Sequence, residues 1–421
     1  MINISSLNNI DFETISIESE WNFSDTKEMK MHRIHAYPAK FPAFIASKAI
    51  EYAENEGVKI NTIADIFCGC GTVALEAKIH DINFWGCDIN PVATLIAKAK
   101  SNSYQIPTLK FYYNRINNYI DSINLSENLY SYANERLVYW FDKESYLSLY
   151  KIKQAIDNVI PNGKYKDAFL CIFSSILKAS SRWLTKSIKP QIDPNKPSVN
   201  VKEIFAQQYE RFIKAAKEIN VNNSNVILIE NANFLVKKPI PKVDLIVTSP
   251  PYVTSYEYAD LHQLSALWLG YATDYRELRR GSIGSIYNSD TYCFNQNDLN
   301  NIGKNIVHKL INKGGLTAKV KSVARYYLDM QAAIKKSADI INNTGMIFCV
   351  VGDTEYKGIR IENSKHLVQC LIDNGYKDIK VSKRRISKKL LTPYRDKLGR
   401  FSADNSQRKV YHEEFVISGR V

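Results

Sequence analysis

Between Thr62 and Asp88 the chain spells a strand, a glycine turn, a helix, a second strand and an acid, and few folds accept that order. Residues 62–67 are apolar and β-branched, 73–79 carry a helical pattern, and 83–87 form a second short apolar run. Asp88 ends that run, and Pro91 suits the first turn of a helix over 91–99. Such a series opens a doubly wound nucleotide-binding sheet, whose ligands sit at the carboxyl ends of the strands. The expected fold class is α/β, Rossmann-like, with a mostly parallel doubly wound sheet.

Beyond residue 108 the period changes. Residues 143–159, 166–179 and 201–219 read as long amphipathic helices, so a helical insertion is expected over 109–220. Within it, 180–200 is polar, basic and proline-bearing, as in an exposed loop. Strands resume at 225–229, 243–248 and 346–351. A helix over 326–341 precedes the last of these, with Gly345 suiting a left-handed helix stop. A helix at 366–374 and a strand at 378–382 then close the sheet, leaving a basic segment from 383 onward. Four regions follow: 1–108 and 221–382 as the two parts of one sheet domain, 109–220 as the insertion, and 383–421 as a basic C-terminal segment.

Charge narrows the partners. The 421 residues carry a formal net charge of +13, which suits a polyanionic partner, because Lys and Arg release counterions condensed on phosphates, and equally suits a merely soluble basic protein. Seven cysteines with no C-x-x-C pair argue against zinc and against a disulfide framework, so no metal is expected. Residues 1–20 lack the basic start and apolar core of a signal peptide, and no apolar run is long enough to span a bilayer. A cytoplasmic, reduced protein away from membranes is expected.

The first strand ends in Asp65-Ile66-Phe67-Cys68-Gly69-Cys70-Gly71-Thr72, of the form D-x-F-x-G-x-G-T. Two glycines permit close ligand approach, and the following helix offers free amides. Glycine also serves tight turns for steric reasons alone, and Asp88 could simply cap the Pro91 helix. A third glycine and a Walker Lys-Ser/Thr pair are both missing, which argues against NAD and ATP. The turn resembles the first motif of the amino-methylating (cytosine-N4 or adenine-N6) DNA methyltransferases, class I enzymes that use S-adenosyl-L-methionine. That resemblance implies that Asp65, Phe67, Gly69, Gly71 and Thr72 hold the cofactor, that Asp88 binds its ribose, and that Ile89 lies against its adenine. Upstream, His35-Ala36-Tyr37-Pro38-Ala39-Lys40-Phe41-Pro42 is similar to the loop that wraps the methionine end in this family, which implicates His35 and Pro42. Where relatives carry an acid followed by alanine, this chain has Glu230-Asn231-Ala232, so Asn231 is expected at the adenine.

The second anchor is Val243-Asp244-Leu245-Ile246-Val247-Thr248-Ser249-Pro250-Pro251-Tyr252. Two prolines cannot extend a ladder, so the chain must leave the sheet there on a stiff backbone. An exocyclic amine is a poor nucleophile because its lone pair is delocalised into the base. Acceptors on its two protons, here the Ser249 hydroxyl and the Pro250 carbonyl, favour the tetrahedral form that attacks a methyl group. Pro251 stiffens the loop, and Tyr252 offers an aromatic face to a base rotated out of the duplex. No covalent nucleophile is needed. In the family, Ser-Pro-Pro-Tyr usually accompanies cytosine-N4 methylation and Asp-Pro-Pro-Tyr adenine-N6 methylation; an RNA base methyltransferase with the same loop is a further alternative. Tyr256 and Tyr258 could line the base pocket, and Val351-Gly352-Asp353 resembles a late motif that does so.

Double-stranded DNA is the implied partner, with a cognate restriction endonuclease in a restriction-modification setting as a possible companion. Candidate DNA contacts are Lys186 and Lys189 in the insertion loop and Arg384, Arg385, Lys388, Lys389 and Arg395 in the basic segment, with 276–321 as a further polar candidate. Target sequence and oligomeric state are not legible at this level.

Overall fold

The computed structural model describes every residue except 8–9, 23–26, 39, 220–223, 254–257, 286–294, 387–393, 396–403, 405–407 and 410–412. Its frame is an eight-stranded sheet. In chain order the strands are β1 (Ile2–Asn3), β2 (Thr62–Asp65), β3 (Asn83–Asp88), β4 (Ile227–Asn231), β5 (Val243–Thr248), β6 (Ile341–Val351), β7 (Lys377–Arg385) and β8 (Glu413–Arg420). Their spatial order is β1-β7-β8-β6-β5-β2-β3-β4. Strands β4, β3, β2, β5 and β6 pair in parallel. Strand β8 runs antiparallel to both β6 and β7, and β1 is antiparallel to β7 at the edge.

Parallel strands must be covered on both faces, and the alternation of side chains does this here. Ile63, Leu245, Val247, Met346 and Phe348 pack on one side with α1 (Ala43–Asn55) and α2 (Thr72–Ile79). Ala64, Ile246, Ile347 and Cys349 face the other way, in a core shared with α12 (Ala318–Ile340) and α13 (Asn363–Asp373). Helix α3 (Pro91–Ser101) starts on Pro91, with the Asn90 side chain accepting from the Val92 N–H at 3.0 Å.

Between β3 and β4 run α4 (Ile106–Ser122), α5 (Glu135–Trp140), α6 (Lys143–Val159), α7 (Lys164–Ile176) and α8 (Val201–Glu218). These helices do not form a separate globule. Phe169 and Phe173 of α7 and Phe205 and Phe212 of α8 belong to one core with Val92, Leu95, Ile96 and Ala99 of α3. Two short helices, α9 (Tyr258–Leu261) and α10 (Gln263–Trp268), and the longer α11 (Asn301–Gly314) complete the α-helices among the described residues.

Two expectations need correction. Strand β6 begins at Ile341, directly after α12, and Gly345 lies inside it without a left-handed backbone. A Cβ on Gly345 would fall 2.7 Å from the Asp244 carbonyl, so glycine serves close approach to β5 where the β5/β6 register shifts. The basic C-terminal segment also begins and ends within the sheet. Lys383 and Arg384 are buried in β7, and Glu413–Arg420 is an interior strand of the sheet. Among the described residues no helix is long and apolar enough to cross a membrane.

Candidate active site

At the carboxyl ends of β2, β3 and β5 lies a cleft of about 460 Å³, within the size range of small-molecule sites. Three walls meet there: the turn from Asp65 to Cys70 with Thr72, the β3 end at Asp88 and Ile89, and the loop from Ser249 to Val253. The parallel order β3-β2-β5 brings the two sequence anchors side by side.

The first wall is braced by carboxylates. Asp88 accepts from the Gly69 N–H at 2.9 Å and from the Asn90 N–H at 2.8 Å, tying the glycine turn to the end of β3. Asp65 accepts from the Phe67 N–H at 3.1 Å and from the Thr248 hydroxyl at 2.7 Å, which links the turn to the strand that leads into the proline loop. Burial raises both carboxyls, that of Asp65 to about 7.

Gly69 and Gly71 are both left-handed, at φ 49° and 74°. They serve different ends. Gly69 lines the cleft, whereas a Cβ on Gly71 would lie 2.6 Å from the Cβ of Ala97, so Gly71 lets α2 start against α3. Thr72 lines the cleft at the first turn of α2, and its buried hydroxyl has no hydrogen-bond partner. An orphaned buried donor beside a helix N-terminus suits an added polar ligand.

Ser249 donates its hydroxyl to the Val350 carbonyl at 3.0 Å, which leaves its oxygen lone pairs as acceptors. Tyr252 donates to Glu414, and its ring lies on Gly352, where a Cβ would sit 2.8 Å from Cε1. Tyr258 lines the cleft, and Tyr256 lies outside the described residues.

Several candidate residues take other places. His35 does not line the cleft; its Nδ1 faces the Ala36 carbonyl at 2.8 Å and its Nε2 the Ser174 hydroxyl at 2.9 Å, so it fastens the upstream loop to α7. Burial lowers its pKa to about 4, which keeps the ring neutral. Pro42 is the residue before α1, and Tyr37, Lys40 and Phe41 line the cleft in its stead. Asn231 turns its amide to the Asp88 and Ile89 carbonyls, both at 3.0 Å, and Ala232 and Asn233 form the wall. Asp353 points to Arg360 and the Ser364 N–H, away from the cleft. Arg384 is 2% exposed and paired with Glu414, so it is no surface contact for DNA.

Lys189 lines the cleft beside Pro190, and Lys186 is exposed on the same loop. Arg385 is exposed at the end of β7. Lys388 and Lys389, together with the Arg395 side chain, lie outside the described residues. Sequence reasoning missed Gly281–Ser285, Lys319 and Tyr326, which form the far wall. Only the glycine pair Gly281 and Gly284 hinted at a tight turn there.

Asp65 yields a pH prediction. Its folded pKa, near 7, lies above the usual carboxylate value, so the folded state holds a proton that the unfolded state has released. Stability therefore falls as pH rises from about 4 to about 7. Asp65→Asn keeps an acceptor for Phe67 and Thr248 and removes the titration. Thermal melts across that window are expected to vary less in the variant than in the wild type; parallel curves would show that Asp65 does not titrate there.

A mostly parallel sheet with a braced glycine turn facing a proline loop across one cleft is a Rossmann-like α/β arrangement, the fold class expected from the sequence. The family model described as DNA methylase matches residues 7–99. Among curated proteins, the chain is 26% identical over 368 residues to the type II methyltransferase M.MvaI of Kocuria varians, covering 80% of each. It is 21% identical over 391 residues to M.AvaI of Anabaena variabilis, covering 81% of this chain and 78% of that protein. M.BsoBI of Geobacillus stearothermophilus is 23% identical over 299 residues, covering 62% and 57%. These matches make the chain similar to amino-methylating DNA methyltransferases, and that similarity implies S-adenosyl-L-methionine as the methyl donor.

Proposed function

We propose that the protein methylates the N4 amine of cytosine at a specific site in double-stranded DNA, with the target base rotated out of the duplex. The carrying observation is that Ser249–Tyr252 and the glycine turn share one cleft. S-Adenosyl-L-methionine supplies an electrophilic methyl group when bound. Asp65, Phe67, Gly69, Thr72, Asp88 and Ile89 hold it in this reading, with the unpaired Thr72 hydroxyl and the α2 amides as donors and Asp88 as acceptor.

The chain's own contribution to the reaction is acceptor placement. The Ser249 oxygen and the Pro250 carbonyl accept hydrogen bonds from the two amino N–H groups, which localises the nitrogen lone pair toward the methyl group, and one of these protons is released as the new N–C bond forms. Ser249 suits this role because its own proton is already committed to Val350. Tyr252 supplies a face for the extruded base. Lys186 and Lys189 contact phosphates near the cleft mouth, with Arg385, Lys388, Lys389 and Arg395 contributing further backbone contacts. The type II names of the relatives support a restriction-modification setting with a partner endonuclease.

Purified protein incubated with labelled S-adenosyl-L-methionine and duplex DNA or total RNA, followed by digestion to nucleosides, tests this directly. The expected product is N4-methylcytosine from DNA. N6-Methyladenine would retain the chemistry and overturn the base; label confined to RNA would overturn the substrate.

A further inference from the structure

Behind the proline loop sits a buried chain of polar groups that the reaction chemistry does not require. Arg384 of β7 and Glu414 of β8 stand opposite one another in the antiparallel ladder, 2% and 9% exposed. The guanidinium donates through Nε to the Trp21 carbonyl at 2.8 Å and through a terminal nitrogen to one Glu414 oxygen, above the Phe44 ring. The other Glu414 oxygen accepts the Tyr252 hydroxyl. Four separate parts of the chain, the N-terminal segment, β7, β8 and the proline loop, thus converge on one tyrosine.

A buried ion pair is weak evidence for stability, since desolvating both charges offsets much of their attraction. It does impose geometry. Tyr252 must hold a fixed ring plane to stack on an extruded base, and it is gripped at two places: the ring lies on Gly352 and the hydroxyl is tied to Glu414. Glu414 alone would be an unpaired buried carboxylate free to change rotamer; Arg384, itself held by Trp21, fixes it. We propose that Arg384 and Glu414 are positioning residues that lock the ring of Tyr252 in the orientation needed to receive the target base. This rests on the base-stacking role given to Tyr252 above.

The test replaces the pair without stranding a charge. Arg384→Met with Glu414→Met removes the anchor. Arg384→Met with Glu414→Gln restores a neutral acceptor for the tyrosine hydroxyl. Two quantities are read: the kinetics of methyl transfer to DNA, and the fluorine NMR signal of 3-fluorotyrosine placed at position 252. In the double-methionine protein kcat is expected to fall at least about tenfold, as small misplacements of reacting groups do. KM for S-adenosyl-L-methionine should hold, and the fluorine signal should change from one fixed ring orientation to an average. The glutamine version should recover most of both.

A double-methionine protein with wild-type kcat and an unchanged fluorine signal overturns the proposal. If that protein fails to fold, Tyr252→Phe decides, because it keeps the ion pair and the ring and removes only the anchor; a kcat within about twofold of wild type then overturns it. Should the wild type methylate no DNA, the proposed function fails, whereas the fluorine signal still decides whether the pair fixes the ring.

Discussion

Asp88→Ala is expected to weaken binding of S-adenosyl-L-methionine about a hundredfold while leaving the overall fold in place. The wild-type carboxylate takes the Gly69 and Asn90 N–H groups, at 2.9 and 2.8 Å, so it organises the glycine turn as well as facing the cleft. Hydrogen bonds to an ionised group contribute about 1.5–3 kcal/mol each. Loss of a proposed ribose contact together with a loosened turn therefore reaches about 2.7 kcal/mol, or two decades in Kd. Asp88→Asn, which keeps one acceptor without charge, should fall between. Calorimetric titration with the cofactor measures both; an Asp88→Ala affinity within about threefold of wild type would remove the residue from the site.

Gly71→Val should cost about 3 kcal/mol of folding stability, and Gly69→Val clearly less. Both glycines are left-handed, so valine strains the backbone at either position by roughly 1–2 kcal/mol. Only at Gly71 does the new Cβ collide with a neighbouring helix, 2.6 Å from the Cβ and 2.7 Å from the Cα of Ala97. At Gly69 the nearest atom is the Tyr37 hydroxyl at 3.6 Å. The extra loss at Gly71 is the cost of overpacking α2 against α3, about 1–3 kcal/mol. Urea unfolding of the two variants checks this; equal losses would mean that strain alone sets the requirement for glycine. Gly69→Val should instead hurt cofactor binding, since that glycine lines the cleft.

The two anchors were legible because each combines a local pattern with a backbone requirement. A strand running into Pro250 and Pro251 has one way to leave a sheet, and a strand running into two left-handed glycines must turn. Their meeting in one cleft follows from the order β3-β2-β5; the alternation of strands and helices implied parallel strands but not that order. Side-chain direction was not legible. Asn231 sits next to the wall residue Ala232, yet in the edge strand its amide donates to two backbone carbonyls. His35 is drawn to Ser174, a partner 139 positions away that no local spacing could reveal.

The same limit explains why the two strands at the ends of the C-terminal segment were not legible. Residues 383–400 are rich in Lys and Arg, which suggests solvent, but β7 runs on to Arg385 because β8 returns to pair with it. The signal for β8 is four residues, Phe415, Val416, Ile417 and Ser418, too short to separate from a loop by periodicity. Arg384 looks like a phosphate contact in sequence and is a buried partner in the fold, because Glu414 lies opposite it.

Strand β8 also sets when the sheet closes during synthesis. It is the last strand in chain order yet lies between β6 and β7, with backbone partners on both sides. A nascent chain emerging from its amino end can build the glycine turn and the proline loop early, but a gap remains between β6 and β7 until residues 413–420 are free to enter. Message truncated before that point yields a chain with two open strand edges and no Glu414 beneath Tyr252. Such a product exposes unpaired strand edges, which invite aggregation.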